Sequence, residues 1–197
     1  MNDISNNIKR LYHGTETENA KKIFEQKRFI IVKPSPPLVY NGVSKVKKNP
    51  GTLGYGIYFF SSLYMARKFS KKIKNSKILE VVVELKEGTT LDLTEEDTLE
   101  RYNLFKEKLS KLPIYQQLSK TFKNSGPQSS LEGIMLDYLI LNTKNVREIF
   151  ELSNIDCIKG MTVTEIDVSR NSKLGNAVEY CVKNHDCIKE INYYEKV

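Results

Sequence analysis

The chain is poor in the residue types that staple small proteins or hold metals. Cysteine occurs three times, as Cys157, Cys181 and Cys187. An odd count excludes a fully paired disulfide scaffold, and the scattered spacing excludes a zinc framework; these read as packed or partly exposed thiols. Histidine occurs only as His13 and His185, which argues against a histidine-built centre, so no metal is expected. No apolar run reaches the roughly 18 residues that a membrane helix needs. The opening MNDISNNIKRLYHG has no basic start, apolar stretch or small-residue cleavage site of a secretory signal, and the expectation is a cytoplasmic protein without membrane attachment. Acidic residues are scarce early in the chain. Residues 1–77 carry 16 Lys or Arg against 4 Asp or Glu, a net of +12, and the remainder carries 15 against 20, a net of −5. A basic half attracts polyanions such as a dinucleotide pyrophosphate, RNA or DNA, and a solvated lysine face has the same composition.

What is present fits one domain over residues 1–197. With 40% hydrophobic and 28% charged residues, the chain can bury its own core. Ile8 to His13 reads as a short strand, and Thr15 or Thr17 caps a helix to about Lys27 with Ala20, Ile23 and Phe24 on one face. Phe29 to Val32 reads as another strand. Residues 33–56 hold Pro34, Pro36, Pro37, Pro50, Gly42, Gly51, Gly54 and Gly56, the pattern of a long loop, and such loops are often functional. Gly56 to Phe60 is strand-like and leads into a helix from about Ser62 to Ile73, with Ser61 or Ser62 as cap. Ile78 to Leu85 is the clearest strand, followed by Thr89 to Leu93. Thr94 with Glu95, Glu96 and Asp97 opens a helix whose stripe is Leu99, Tyr102, Phe105 or Lys106, Leu109 and Leu112, until Pro113 stops it. Ile114 to Leu152 stays helical, broken at Asn124 to Pro127. Cys157 to Asp167, Ala177 to Val182 and Ile188 to Tyr194 close the chain as strands. The expected class is α+β, with a helical insertion at about residues 94–152.

Three segments carry residues suited to chemistry. They are Leu11-Tyr12-His13-Gly14-Thr15, Gly54-Tyr55-Gly56-Ile57-Tyr58-Phe59-Phe60, and Asn176-Ala177-Val178-Glu179-Tyr180-Cys181-Val182. Taken singly each has a bland reading: a hydrogen-bonding histidine, turn glycines, a glutamate on the open face of an edge strand. Alternation in the third puts Val178, Tyr180 and Val182 on one face and Glu179 with Cys181 on the other, facing a cleft or solvent.

In that order the segments resemble the ADP-ribosyltransferase superfamily, on the branch of the poly(ADP-ribose) polymerases with its His-Tyr-Glu triad. Here the triad corresponds to His13, Tyr58 and Glu179. The resemblance implies a split β-sheet core and NAD as co-substrate, bound around His13, Gly14, Thr15, Gly56, Tyr58 and Phe69. His13 would bond ribose hydroxyls, the Gly14 backbone would grip the carboxamide, and Tyr58 would stack on nicotinamide with Phe69, eleven positions on, as the second aromatic. Glu179 would bind the nicotinamide ribose and favour its oxocarbenium character. One departure is Ala66, where the family has a serine contacting the carboxamide; one lost hydrogen bond weakens that grip by about 0.5–1.5 kcal/mol. Residues 94–152 match nothing in the family pattern.

The resemblance implies mono-transfer of ADP-ribose to a macromolecule, with the basic half favouring RNA or DNA over a protein side chain. It also extends to bacterial toxins of toxin–antitoxin and anti-phage systems, which implies an antitoxin protein as partner. The alternatives are NAD glycohydrolysis, an RNA 2′-phosphotransferase using Arg10, Arg28 and Arg67, and a non-catalytic nucleotide- or nucleic-acid-binding module. No helix-turn-helix, zinc-finger or aromatic RNA-recognition motif supports the last as a dedicated nucleic-acid reader.

Overall fold

A computed structural model describes residues 7–31, 50–122, 129–164 and 175–194. Among these, seven strands form one open sheet: β1 (Asn7–Glu16), β2 (Ile57–Phe60), β3 (Ser76–Leu85), β4 (Thr90–Asp92), β5 (Cys157–Thr162), β6 (Ala177–Val182) and β7 (Ile188–Tyr193). Six helices accompany them: α1 (Thr17–Gln26), α2 (Leu63–Ser70), α3 (Glu96–Ser110), α4 (Pro113–Thr121), α5 (Ser130–Leu141) and α6 (Thr143–Phe150). The class is α+β. Strands run in the order β4-β5-β6-β2-β1-β3-β7, and every neighbouring pair is antiparallel except β4 with β5.

The hydrophobic alternation sets the layers. In β3, Leu79, Val81, Val83 and Leu85 are buried on one face, where Leu11, Phe59, Tyr180 and Val182 from neighbouring strands join them. Ala20 and Ile23 of α1 cover this face, together with Phe29 and Cys187. The opposite face is covered twice. Phe60 and Ala177 pack beneath Met65, Ala66 and Phe69 of α2. Leu91, Ile158 and Cys181 pack beneath Tyr102, Phe105 and Leu109 of α3, Leu136 and Leu139 of α5, and Val146 and Phe150 of α6. The four helices between β4 and β5 therefore form a cap over one end of the sheet.

The centre of the sheet is thin. β1 pairs with β3 from Asn7↔Leu85 through Glu16↔Ser76, whereas β1 and β2 meet at the single register pair Tyr12↔Phe60. Beyond that pair the His13 ring bridges the two strands, with Nδ1 at 2.9 Å from the carbonyl oxygen of Tyr58. A side chain thus stands where a backbone ladder would otherwise continue.

Several local expectations need correcting. Phe29 to Ile31 is not a strand: Phe29 is buried, Ile31 packs half-buried against the same core and Ile30 is 85% exposed, so side-chain packing and no ladder holds the segment. Thr15 belongs to β1, Glu16 occupies the cap position of α1, and the Thr17 hydroxyl donates to the carbonyl of Asn75 instead of capping. Glu95, not Thr94, precedes α3, because Asp92 captures the Thr94 amide and hydroxyl. Pro113 opens α4 at a position where no amide donor is needed, and α3 has already ended at Ser110. Leu99 and Leu112, expected in the stripe of α3, are 42% and 47% exposed. α2 ends at Ser70, short of Ile73. Val32, the loop residues 33–49, Asn124 to Pro127 and the end of the strand expected to reach Asp167 lie outside the described residues.

Helix α5 touches the Pro50–Gly56 segment through Gly133, where a Cβ would lie 1.9 Å from the carbonyl oxygen of Gly51. Exchanging glycine for alanine inside a helix ordinarily gains up to about 1 kcal/mol. Here Gly133→Ala instead loses about 1–3 kcal/mol, because the colliding atom is backbone and the helix must shift. Urea denaturation measures the sign, and a variant as stable as the parent would refute this contact.

Candidate active site

The strands bearing the three motifs lie side by side, in the order β6-β2-β1. Tyr58 sits opposite Cys181 and Phe60 opposite Glu179. Tyr58, Phe60, Glu179 and Cys181 thus share the helix-capped face of the sheet, with Tyr58 and Glu179 as diagonal cross-strand neighbours, roughly 7–8 Å apart by strand geometry. Glu179 falls at a seam, between Ala177 beneath α2 and Cys181 beneath the helical cap. Across the other side it faces Gly160, over which the Leu53 side chain lies.

Glu179 is 6% exposed, and among the described residues no cation pairs with it. Burial pushes its carboxyl up to about 7, with the Thr162 hydroxyl pulling the other way. An ionised carboxylate is therefore held in a place that resists it. Folding favours the protonated acid, so this group's contribution to stability is fullest below its unfolded value near 4.5, declines as pH rises, and levels off above about 7. Such a residue costs stability at neutral pH.

The other expected residues are distributed as follows. Tyr58 is half-buried; its hydroxyl donates to the carbonyl of Gly54 at 2.7 Å and accepts the Leu53 amide at 2.9 Å. Burial raises the phenol well above its ordinary value, so it remains neutral. Phe69 lies against Phe60, ring centroids 5.6 Å apart. Gly14 is buried beneath α2: a Cβ there would sit 2.2 Å from Ser70 Oγ and 3.4 Å from the carbonyl of Ala66. Ala66 is itself fully buried, and Ser70 Oγ is buried with no hydrogen-bond partner among the described residues. Gly56 packs against the end of β6, where a Cβ would meet Cys181 Sγ at 2.6 Å. Thr15 is half-buried, opposite Lys77. His13 is the exception in orientation. Paired with Leu79, it turns its ring toward Phe29 and Phe59, at 5.3 and 5.8 Å, on the face opposite Tyr58 and Glu179.

The residues that fix the loop before β2 belong to none of the three motifs. Lys183 Nζ donates to the carbonyls of Leu53 at 3.0 Å and Tyr55 at 2.7 Å, and to Asp137 Oδ1 at 2.9 Å. Asp137 Oδ2 accepts the Tyr55 amide at 2.8 Å. Both side chains are almost wholly buried. Three acceptors around one nitrogen require three N–H donors, which only the ammonium form supplies. Burial works against that charge, but Cys181 and Asp137 outweigh it and raise the Lys183 pKa. Burial also raises the Asp137 carboxyl, against the pull of Lys183 and the Tyr55 amide; the three filled acceptors decide for an ionised pair. Gly54, at φ +84° and pressed against Asp137, completes the turn. The sequence signal was present in Asp137, a lone charge within Ile134-Met135-Leu136-Asp137-Tyr138-Leu139.

Comparison of the chain with protein-family models, curated proteins and solved structures yields no match. The site must therefore be judged on its own chemistry. Among the described residues no group of three or more His, Cys, Asp or Glu side chains could hold a metal ion, and no helix is long and apolar enough to cross a membrane. A surface cavity of about 470 Å³ lined by Glu16, Thr17, Glu18, Lys74 and Asn75 contains none of the candidate residues, and two carboxylates in its wall oppose an anionic ligand. Arg10 and Arg67 engage separate partners, Glu80 and Tyr194.

Two stability predictions follow from these charges. Lys183→Met leaves Asp137 buried and unpaired and strips two carbonyls of their donor, costing about 3–5 kcal/mol. The Asp137→Leu, Lys183→Met double variant recovers part of that loss; equal instability of single and double variants in guanidinium melts would deny the coupling. Glu179→Gln, in contrast, stabilises the fold by about 1–3 kcal/mol at pH about 8, and the gain shrinks toward pH about 5. Paired thermal melts at the two pH values test this, and a gain independent of pH would contradict the elevated pKa.

Proposed function

We propose that the chain is an ADP-ribosyltransferase that cleaves NAD and passes one ADP-ribose unit to a macromolecular acceptor. The observation that carries the reading is the buried Glu179 carboxyl, with no cation beside it among the described residues, on the sheet face it shares with Tyr58 and with Phe60, which packs against Phe69 of α2. Aromatic walls suit a flat cationic leaving group, and a single desolvated carboxylate suits the positive charge that develops on the ribose. The adjacency of β6, β2 and β1, with the backbone ladder reduced to one pair between β2 and β1, supports it further.

In this reading the bond between nicotinamide nitrogen and ribose C1′ breaks, and nicotinamide leaves as a neutral base with the bonding electrons. The ribose takes on oxocarbenium character beside ionised Glu179. An acceptor oxygen or nitrogen closes a new bond to C1′ and releases its proton to solvent. One preorganised carboxylate supplies on the order of 10²–10³ in rate through charge stabilisation. Tyr58 has its hydroxyl committed to the loop, so it offers NAD its ring. His13 acts here as the side chain that bridges the strands where the sheet thins. Its contact with ribose hydroxyls, implied by the family resemblance, would require the ring to turn from the face of Phe29 and Phe59 to that of Tyr58 and Glu179.

The test is incubation of the protein and Glu179→Gln with labelled NAD and a cell lysate, split for nuclease and protease digestion. Transfer in the parent and none in the variant, which keeps side-chain volume and removes the charge, is the expected result. NAD left intact by the parent protein would sink the reading, and free nicotinamide without labelled macromolecule would redirect it to a glycohydrolase. The rate of nicotinamide release rises with pH through about 7 as Glu179 ionises, then levels off. A rate falling across that range would remove the carboxylate from the chemistry.

A further inference from the structure

The helix that closes over this face is two-sided in a way the transfer chemistry does not use. Met65, Ala66, Phe69 and Ser70 form its inner side, buried or half-buried against Gly14 and Phe60. Tyr64, Arg67, Lys68 and Lys71 follow at the spacing of three and four residues that places them together on its outer side. Tyr64 is 60% exposed, an aromatic ring left in water, and Arg67 and Lys71 are exposed as well. Each ring on this surface carries a cation. Lys68 Nζ lies 5.7 Å from the centroid of Tyr64, and the Arg67 guanidinium lies 5.4 Å from that of Tyr194, whose own edge meets Tyr12 at 6.0 Å. Residues 61–77 contain six Lys or Arg and no Asp or Glu.

We infer that the outer side of α2, with Tyr194 beside it, binds single-stranded nucleic acid and presents it as the acceptor. Rings alternating with cations bind an unpaired strand twice over: the cations follow the phosphates, and the rings stack on bases that a duplex would keep inside. The placement also suits transfer. α2 begins three residues after Phe60, which stands opposite Glu179 in the sheet, so one helix width of roughly 10 Å separates the binding face from the seam. A strand lying across α2 can pass its end over the helix to reach the seam. The acceptor role rests on the transfer reading; the binding role does not.

The experiment is fluorescence anisotropy with labelled RNA of about 12 nucleotides, DNA of the same sequence and the corresponding duplex, over a series of KCl concentrations. The full chain, Tyr64→Ala, a Lys68→Ala, Lys71→Ala double variant and a Lys144→Ala, Arg147→Ala control on α6 are compared, with circular dichroism melts to establish folding. Single strands bind more tightly than duplex. Tyr64→Ala weakens binding about 5-fold to 100-fold, the loss of one stacking platform. The lysine double variant lowers the slope of log affinity against log salt by about 1.4, at about 0.7 per phosphate contact. The α6 control binds as the parent does. Preference between the RNA and DNA arms names the acceptor. A folded Tyr64→Ala protein that binds like the parent, a preference for duplex, or equal competition by polyglutamate, which points to an acidic protein instead, would overturn the inference. The expected binding pattern in a protein that leaves NAD intact would uphold the surface and remove the transfer reading alone.

Discussion

The Lys183–Asp137 ion pair is the constraint on which the site depends. It joins three parts of the chain distant in sequence: the end of β6, the middle of α5 and the Leu53–Tyr55 turn before β2. Two buried charges are costly, and this pair is tolerable because all three Lys183 donors are filled and each Asp137 oxygen accepts a hydrogen bond. Its consequence is geometric. With Leu53 and Gly54 fixed, the Tyr58 hydroxyl has a donor and an acceptor waiting, and the Tyr58 ring is held on the face that Glu179 shares. The helical cap, which resembles nothing recognised in sequence, acquires a reason: α5 carries the counter-charge that sets the loop.

Glu179 shows the opposite economy. Lys183 and Asp137 are buried and compensated, whereas Glu179 is buried with the Thr162 hydroxyl as its one support among the described residues. A fold selected for stability alone would place glutamine or an apolar residue there. The contrast is between a compensated pair that shapes the loop and, in the adjoining seam, an acid whose burial no ion pair offsets among the described residues.

Much of this was legible in the sequence, and what was not has identifiable causes. β3 and β6 were readable because β-branched alternation has one interpretation, and the helical insertion because its periodicity is sustained. Phe29 to Ile31 misled because a short apolar run carries no information about whether a partner strand exists. Glu179 could be assigned to a face but not to a cleft, since burial came from α2 and the helical cap, far away in sequence. The orientation of His13 was invisible for a similar reason: it is decided by pairing with Leu79. Asp137 was passed over as one polar residue on a helix, and its meaning depends on Lys183, 46 positions later.

The proposed chemistry depends on the state of one carboxyl. Labelling the glutamate side chains with ¹³C and following the Glu179 signal against pH, with Glu179→Gln to assign it, reads that state directly. A midpoint near 7 in the free protein, displaced when NAD is added, is the expected result. A midpoint at the ordinary value for glutamate, about 4.3, unmoved by NAD, would contradict it.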